Sequence, residues 1–183
     1  MKSEYIQELN DTLSEVRKIR KIFKDWERSK TGYKYPEKGA AYKNYLLIVC
    51  YGKIERIFKN IIGDYFTQPS MPQRCMQFGN TIREKLPGSM AKDRMNHFIK
   101  EECSSAWLDE IKKREANVTY KCKRFPRFTF ADAYMGLTSL TNARHNFAHG
   151  ESPYTGSVDD LIDYYQKSMA WLYEMDDIIS KIG

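Results

Sequence analysis

The apolar residues at the start of the chain recur at helical spacing: Ile6, Leu9, Leu13, Val16, Ile19, Phe23 and Trp26 follow at steps of three and four. Charges such as Glu15, Arg17 and Lys18 fall outside that stripe, so the pattern predicts an amphipathic helix. Gly32, Pro36 and Gly39 interrupt it, and residues 29–39 read as a loop. A second helix is predicted over about residues 40–66. Its centre, 45–51, is apolar on nearly every face, as the middle helix of a bundle must be. Gly52 follows, and Glu55 stands one turn past Tyr51 and four residues before Lys59. Two orientations of Glu55 are open: a surface ion pair with Lys59, or an inward turn toward a polar site.

Between residues 67 and 117 the periodicity weakens. Pro69 and Pro72 mark a loop, and Pro87-Gly88 a turn between two short helical stretches. Phe98, Ile99, Trp107, Leu108 and Ile111 predict that part of this region packs on the bundle, while His97, among charged residues, reads as surface. Over 118–130 polar and apolar residues alternate, as in a short strand or hairpin arm. Thr129 and Asp132 have capping-box spacing for a helix that ends near His149, and Gly150 is placed to cap its C-terminus. After Pro153 and Gly156, Ser157 and Asp160 repeat the capping arrangement. Val158, Leu161, Ile162, Tyr165, Met169, Leu172 and Ile179 then outline a long final helix. The expected fold is all-α: a bundle of long up-down helices, with a short irregular or hairpin insertion before the penultimate helix. Residues 1–183 read as one domain, with 67–130 a variable insertion within it.

Composition narrows the classes. A chain of 183 residues, 42% hydrophobic and 30% charged, is long enough to bury a core and too apolar for wholesale disorder. The longest apolar run, 46–51, is far too short to span a bilayer, and the opening residues read as helix rather than secretory leader. A cytoplasmic protein with no membrane contact is expected, its cysteines Cys50, Cys75, Cys103 and Cys122 as free thiols. These cysteines are widely spaced, and the three histidines complete no zinc cluster with them; no metal or other cofactor is expected. The net charge of +6 makes a polyanion such as nucleic acid a reasonable partner, and serves solubility equally well.

Two stretches carry chemistry. In 118–130, Lys121, Lys123, Arg124 and Arg127 interleave with Tyr120, Phe125, Phe128 and Phe130. Cations for phosphates beside rings for bases would suit a single-stranded RNA groove. The same pattern suits an extended linker whose aromatics anchor it while its charges stay wet. In the penultimate helix, Leu137, Leu140, Arg144 and Phe147 follow at steps of three, four and three, which puts a guanidinium in an apolar stripe. Such an arginine must be paired or line a cleft. His145 and His149 share another face. Arg144 and His149, five positions apart, stand about 140° apart around an ideal helix.

The run Arg144-His145-Asn146-Phe147-Ala148-His149-Gly150 resembles the signature of the HEPN superfamily, an Arg followed four to six residues later by a His. Its Ala-His-Gly ending is similar to the RiboL-PSP-type HEPN domains of prokaryotic toxin and antiviral systems. The apolar second helix leading into Gly52-Lys53-Ile54-Glu55-Arg56, and the Ser157-Val158-Asp159-Asp160-Leu161 start of the last helix, resemble the same family. Two positions depart from it: His145 stands where Asn is commonest, and Glu151 where a nucleotidyltransferase-paired subgroup has a Tyr. The resemblance implies a metal-independent endoribonuclease in which a ribose 2′-OH attacks the adjacent phosphorus, leaving a cyclic phosphate and a 5′-OH. Arg144 would hold the phosphate and His149 would be the acid or base, since a free imidazole ionises near pH 6.5. His145 and Asn146 would help position the phosphate, and Glu55 would orient Arg144 or an imidazole. The resemblance also implies a homodimer with a composite site, RNA as substrate, and an antitoxin or defence-system protein as a further partner. The alternatives are a catalytically inactive HEPN module that binds RNA or protein, with Arg144 salt-bridged to Glu55, and a helical scaffold that contacts nucleic acid through 118–130.

Overall fold

Amphipathic periodicity becomes seven α-helices in the computed structural model, which describes residues 1–29, 35–85, 90–150 and 152–182. In chain order these are α1 (Ser3–Glu27), α2 (Pro36–Phe66), α3 (Gln73–Lys85), α4 (Lys92–Phe98), α5 (Ser105–Ala116), α6 (Phe130–Ala148) and α7 (Val158–Ile182). No strand occurs among the described residues, and the architecture is an all-α bundle. Between α4 and α5 the chain makes one π-helical turn, Ile99–Cys103, closed by the Ser104 N–H on the Ile99 carbonyl at 2.8 Å. Among the described residues no helix is long and apolar enough to cross a membrane.

The start of α2 corrects the sequence reading. Residues 35–39 were expected in a loop, yet the helix begins at Pro36. A proline at the first helical position gives up an N–H that has no intrahelical partner there, so it starts a helix as readily as it breaks one. Gly39, also read as a breaker, lies buried inside α2 against the Trp26 ring. The predicted turn at Pro87-Gly88 lies outside the described residues, between α3 and α4.

Helix α2 runs through the middle of the bundle and touches α1, α3, α6 and α7. Leu46, Leu47, Ile54, Ile57, Phe58 and Ile62 are buried there, each such side chain contributing about 1.5–3 kcal/mol. Phe58 meets Trp171 of α7 with ring centroids 5.3 Å apart, and Trp171 stacks on Tyr134 of α6 at 6.0 Å. Three helices thus converge on one indole. Helices α6 and α7 pass so closely that a Cβ on Gly136 would lie 2.2 Å from the Lys167 Cβ.

Both expected capping boxes form. The Thr129 N–H donates to Asp132 Oδ2 at 2.9 Å and the Asp132 N–H returns to Thr129 Oγ1 at 3.0 Å. Ser157 and Asp160 repeat this at 2.8 and 3.0 Å. Before α6 the chain makes a tight hairpin-like loop: Cys122 N–H to Phe128 O at 2.9 Å and Phe130 N–H to Tyr120 O at 3.0 Å. That loop and its cap fix where α6 begins and so the direction in which its last turns point.

Candidate active site

Helix α6 ends at residue 148 because Gly150 takes φ = 70°, a left-handed conformation that leaves a glycine unstrained. The His149 N–H closes on the His145 carbonyl at 3.0 Å and the Gly150 N–H on the Phe147 carbonyl at 3.2 Å. Two of the terminal carbonyls, those of His145 and Phe147, are thereby satisfied by backbone.

Arg144 continues the buried face of α6 that carries Leu137 and Leu140, and is itself half-buried. Its guanidinium lies over the Tyr51 ring of α2, 5.2 Å from the centroid. Among the described residues no carboxylate pairs with it. A cation on an aromatic face keeps most of its charge available, which an ion pair would not. Tyr51 is 3% exposed, and its hydroxyl accepts the Met90 N–H at 3.1 Å. Burial pushes the Tyr51 phenol up, Met90 works against this, and the neighbouring Glu55 adds to it, so the ring stays neutral. Glu55 pairs with Lys59 at 2.7 Å while also bordering Tyr51. The two orientations open at the sequence level are thus compatible: the ion pair forms, and the carboxylate still reaches the edge of the site through Tyr51.

His145 and His149 stand on a different side, both exposed, with ring centroids 4.3 Å apart. Asn146 is exposed beside them. Within one chain, therefore, Arg144, Tyr51 and Glu55 gather at the α2–α6 contact, whereas the imidazoles face outward. On the outer side of α2, Tyr45 (58% exposed) and Ile48 (49%) stand three apart and lead to Gly52, which has open space around it. Together they make an exposed apolar strip on α2.

The basic-aromatic residues lie elsewhere, along α7. The Tyr120 hydroxyl donates to Glu174 at 2.9 Å and its ring carries the Arg114 guanidinium. Lys123 donates to both oxygens of Asp177 at 2.8 and 2.7 Å, and its backbone N–H to Glu174 at 2.7 Å. Arg124 covers the Tyr173 ring, and Arg127 covers Phe128 and donates to Gln166 at 2.8 Å. Lys121 is exposed. Beneath them Arg114, 6% exposed, binds Glu174 at 2.6 Å and Asp177 at 2.9 Å. Burial opposes charge on Asp177, but hydrogen bonds from Lys123, Lys181 and Arg114 hold its carboxyl well below the ordinary range.

Sequence reasoning missed Tyr51 as a member of the site. Its position four residues before Glu55 within an apolar run was the available signal. Among the described residues no group of three or more His, Cys, Asp or Glu could hold a metal ion.

Compared with known proteins, the chain matches the family described as RiboL-PSP-HEPN over residues 7–181. No curated protein and no solved structure matches it.

Proposed function

Because the chain belongs to the RiboL-PSP-HEPN family, we propose that it is an endoribonuclease that cuts RNA by internal transfer, without a metal ion. The observation that carries this reading is the state of the two motif side chains. Arg144 rests on an aromatic face with no carboxylate partner among the described residues, and His149 is exposed at a capped helix end.

In this reaction the ribose 2′ oxygen bonds to phosphorus as the bond from phosphorus to the 5′ oxygen breaks. One imidazole takes the 2′ proton, and another returns a proton to the departing 5′ oxygen. The products are a cyclic phosphate and a 5′-OH. Arg144 holds the phosphate and offsets charge growing on its oxygens. His149 moves the proton, His145 and Asn146 position the phosphate, and Glu55 steadies Tyr51 and through it Arg144. Arg144 and His149 lie on different sides of one α6, which is what calls for a second copy. A homodimer seated on the Tyr45–Ile48–Gly52 strip would set two motifs along one groove and supply the second imidazole. A toxin–antitoxin or antiviral-defence setting, with a partner protein that restrains or triggers the enzyme, belongs to the same proposal, as does a cytoplasmic location.

Arg144→Ala and His149→Ala are each expected to lower RNA cleavage by at least about 100-fold, with dimerisation and melting temperature held. Intact cleavage in both variants overturns the proposal. The separation of the two side chains within one chain favours a second reading, an RNA-binding module that does not cut. Wild-type protein that retains RNA and leaves it whole would establish that alternative.

A further inference from the structure

Asn142, His145, Asn146 and His149 occupy positions i, i+3, i+4 and i+7, so they form one polar stripe along the last two turns of α6. Beside the stripe opens a cavity of about 340 Å³, between α6, the loop 152–156 and the first turns of α7. Its size is at the small end of ligand pockets, which run to about 300–1,000 Å³. Among the described residues the side chains of Ser139, Asn142, Asn146 and Thr155 make no hydrogen bond to protein, although all four border this one space. Two half-buried rings, Tyr154 and Tyr164, form part of its wall.

The loop that walls one side of the cavity is held in place. The Tyr154 N–H donates to the Asn44 side-chain oxygen at 2.8 Å, and Lys43 Nζ to the Gly156 carbonyl at 3.2 Å. Gly156 lies under the Tyr154 ring, where a Cβ would be 2.3 Å from the phenol oxygen. The pocket is therefore shaped before any ligand arrives.

We propose that this cavity receives one nucleobase of the RNA, the base adjoining the phosphate that His145 and His149 face; the proposal rests on the ribonuclease reading and extends it. The chemistry selects the ligand class. Among the described residues no charged side chain lines the space, so a phosphate is poorly served inside it and is left to the imidazoles and Arg144, with Asn146 at the border between phosphate and base. Two side-chain amides present donors and acceptors together, which suits the edge of a base, and flat rings suit its faces. A sugar alone would use the amides and waste the rings.

The test uses the full-length protein and follows the side-chain amide signals of Asn142 and Asn146 by NMR during titration. The probes are the four nucleoside 3′-monophosphates, with ribose 5-phosphate and inorganic phosphate as controls. The nucleotides should give saturating shifts, at least one base more tightly than the others, and the two controls should not. Asn142→Ala and Tyr164→Leu should each weaken that binding at least tenfold, and Asn142, exposed on the helix, can be removed without unfolding the protein. Equal shifts from ribose 5-phosphate, or no saturation by any nucleotide at millimolar concentration, would overturn the proposal. RNA cleavage by wild-type protein is scored in parallel. Cleavage without nucleotide binding removes the pocket and leaves the nuclease; binding without cleavage does the reverse.

Discussion

Two cationic regions of this molecule look alike in composition and differ in how their charges are used. Along α7, Arg114, Lys123 and Arg127 are matched with Glu174, Asp177 and Gln166, and Tyr120 is tied to the same Glu174. At the end of α6, among the described residues, Arg144 rests on an aromatic face with no carboxylate partner, and the two exposed histidines lie ring against ring with no ion pair. A cation already bonded to a carboxylate has little left for a phosphate, whereas an unmatched one beside a cleft is ready for an anion. Charge that is internally satisfied holds the fold; charge left over is what can act.

The largest effect expected from that contrast is on stability. Glu174 is 1% exposed and accepts from Arg114, Tyr120 and the Lys123 backbone, so Glu174→Ala would take three hydrogen bonds from the interior while Arg114 keeps Glu110 and Asp177. A loss of about 1–3 kcal/mol is expected in urea unfolding. His149→Ala, at an exposed helix end, should stay within about 0.5 kcal/mol of wild type. Equal losses would erase the distinction between the two regions.

A smaller effect sharpens it from the side of RNA binding. Single-stranded RNA gives a slope of log affinity against log salt of about 0.7 for each phosphate contact. Replacing Lys121, Lys123, Arg124 and Arg127 together should flatten that slope by less than about 1, since most of these side chains are engaged on α7. A flattening of about 3 would give the segment a direct hold on the RNA backbone and place the groove there.

The smallest effect is pH-dependent. Asp177 is held below its ordinary pKa, so it contributes stability that is fully present above the unfolded value, near pH 4, and is lost as pH falls further toward the folded value. Asp177→Asn should lower stability at neutral pH and make the acid-induced loss below about pH 4 shallower than in wild type. An unchanged acid limb would mean that the carboxylate holds nothing.

Much of this arrangement is local and could be read from spacing. The stripe of α1, both capping boxes, the glycine that ends α6 and the arginine set among leucines each depend on residues within one or two turns of one another. What spacing does not carry is contact between distant segments. Arg114 stands in the charged run 112–115 and Glu174 between Tyr173 and Met175, and neither stretch announces the other, yet 60 positions apart they meet in the interior. Tyr51 reads as core, which it is; only the meeting of α2 with α6 and with Met90 turns it into the seat of Arg144. Pro36 is ambiguous in principle, because the same ring that stops a helix can begin one. The candidate site was therefore legible as a motif, while its support and the cavity beside it became visible only once the helices were packed.

The ends left on a cut RNA report the chemistry most directly. Purified protein, incubated with a defined oligoribonucleotide in excess chelator, should yield fragments that mass spectrometry identifies as carrying a cyclic phosphate on one side and a 5′-OH on the other. Fragments with a 5′-phosphate and a 3′-OH, or cleavage abolished by the chelator and restored by a divalent ion, would contradict a phosphodiester attacked by its own ribose between Arg144 and His149.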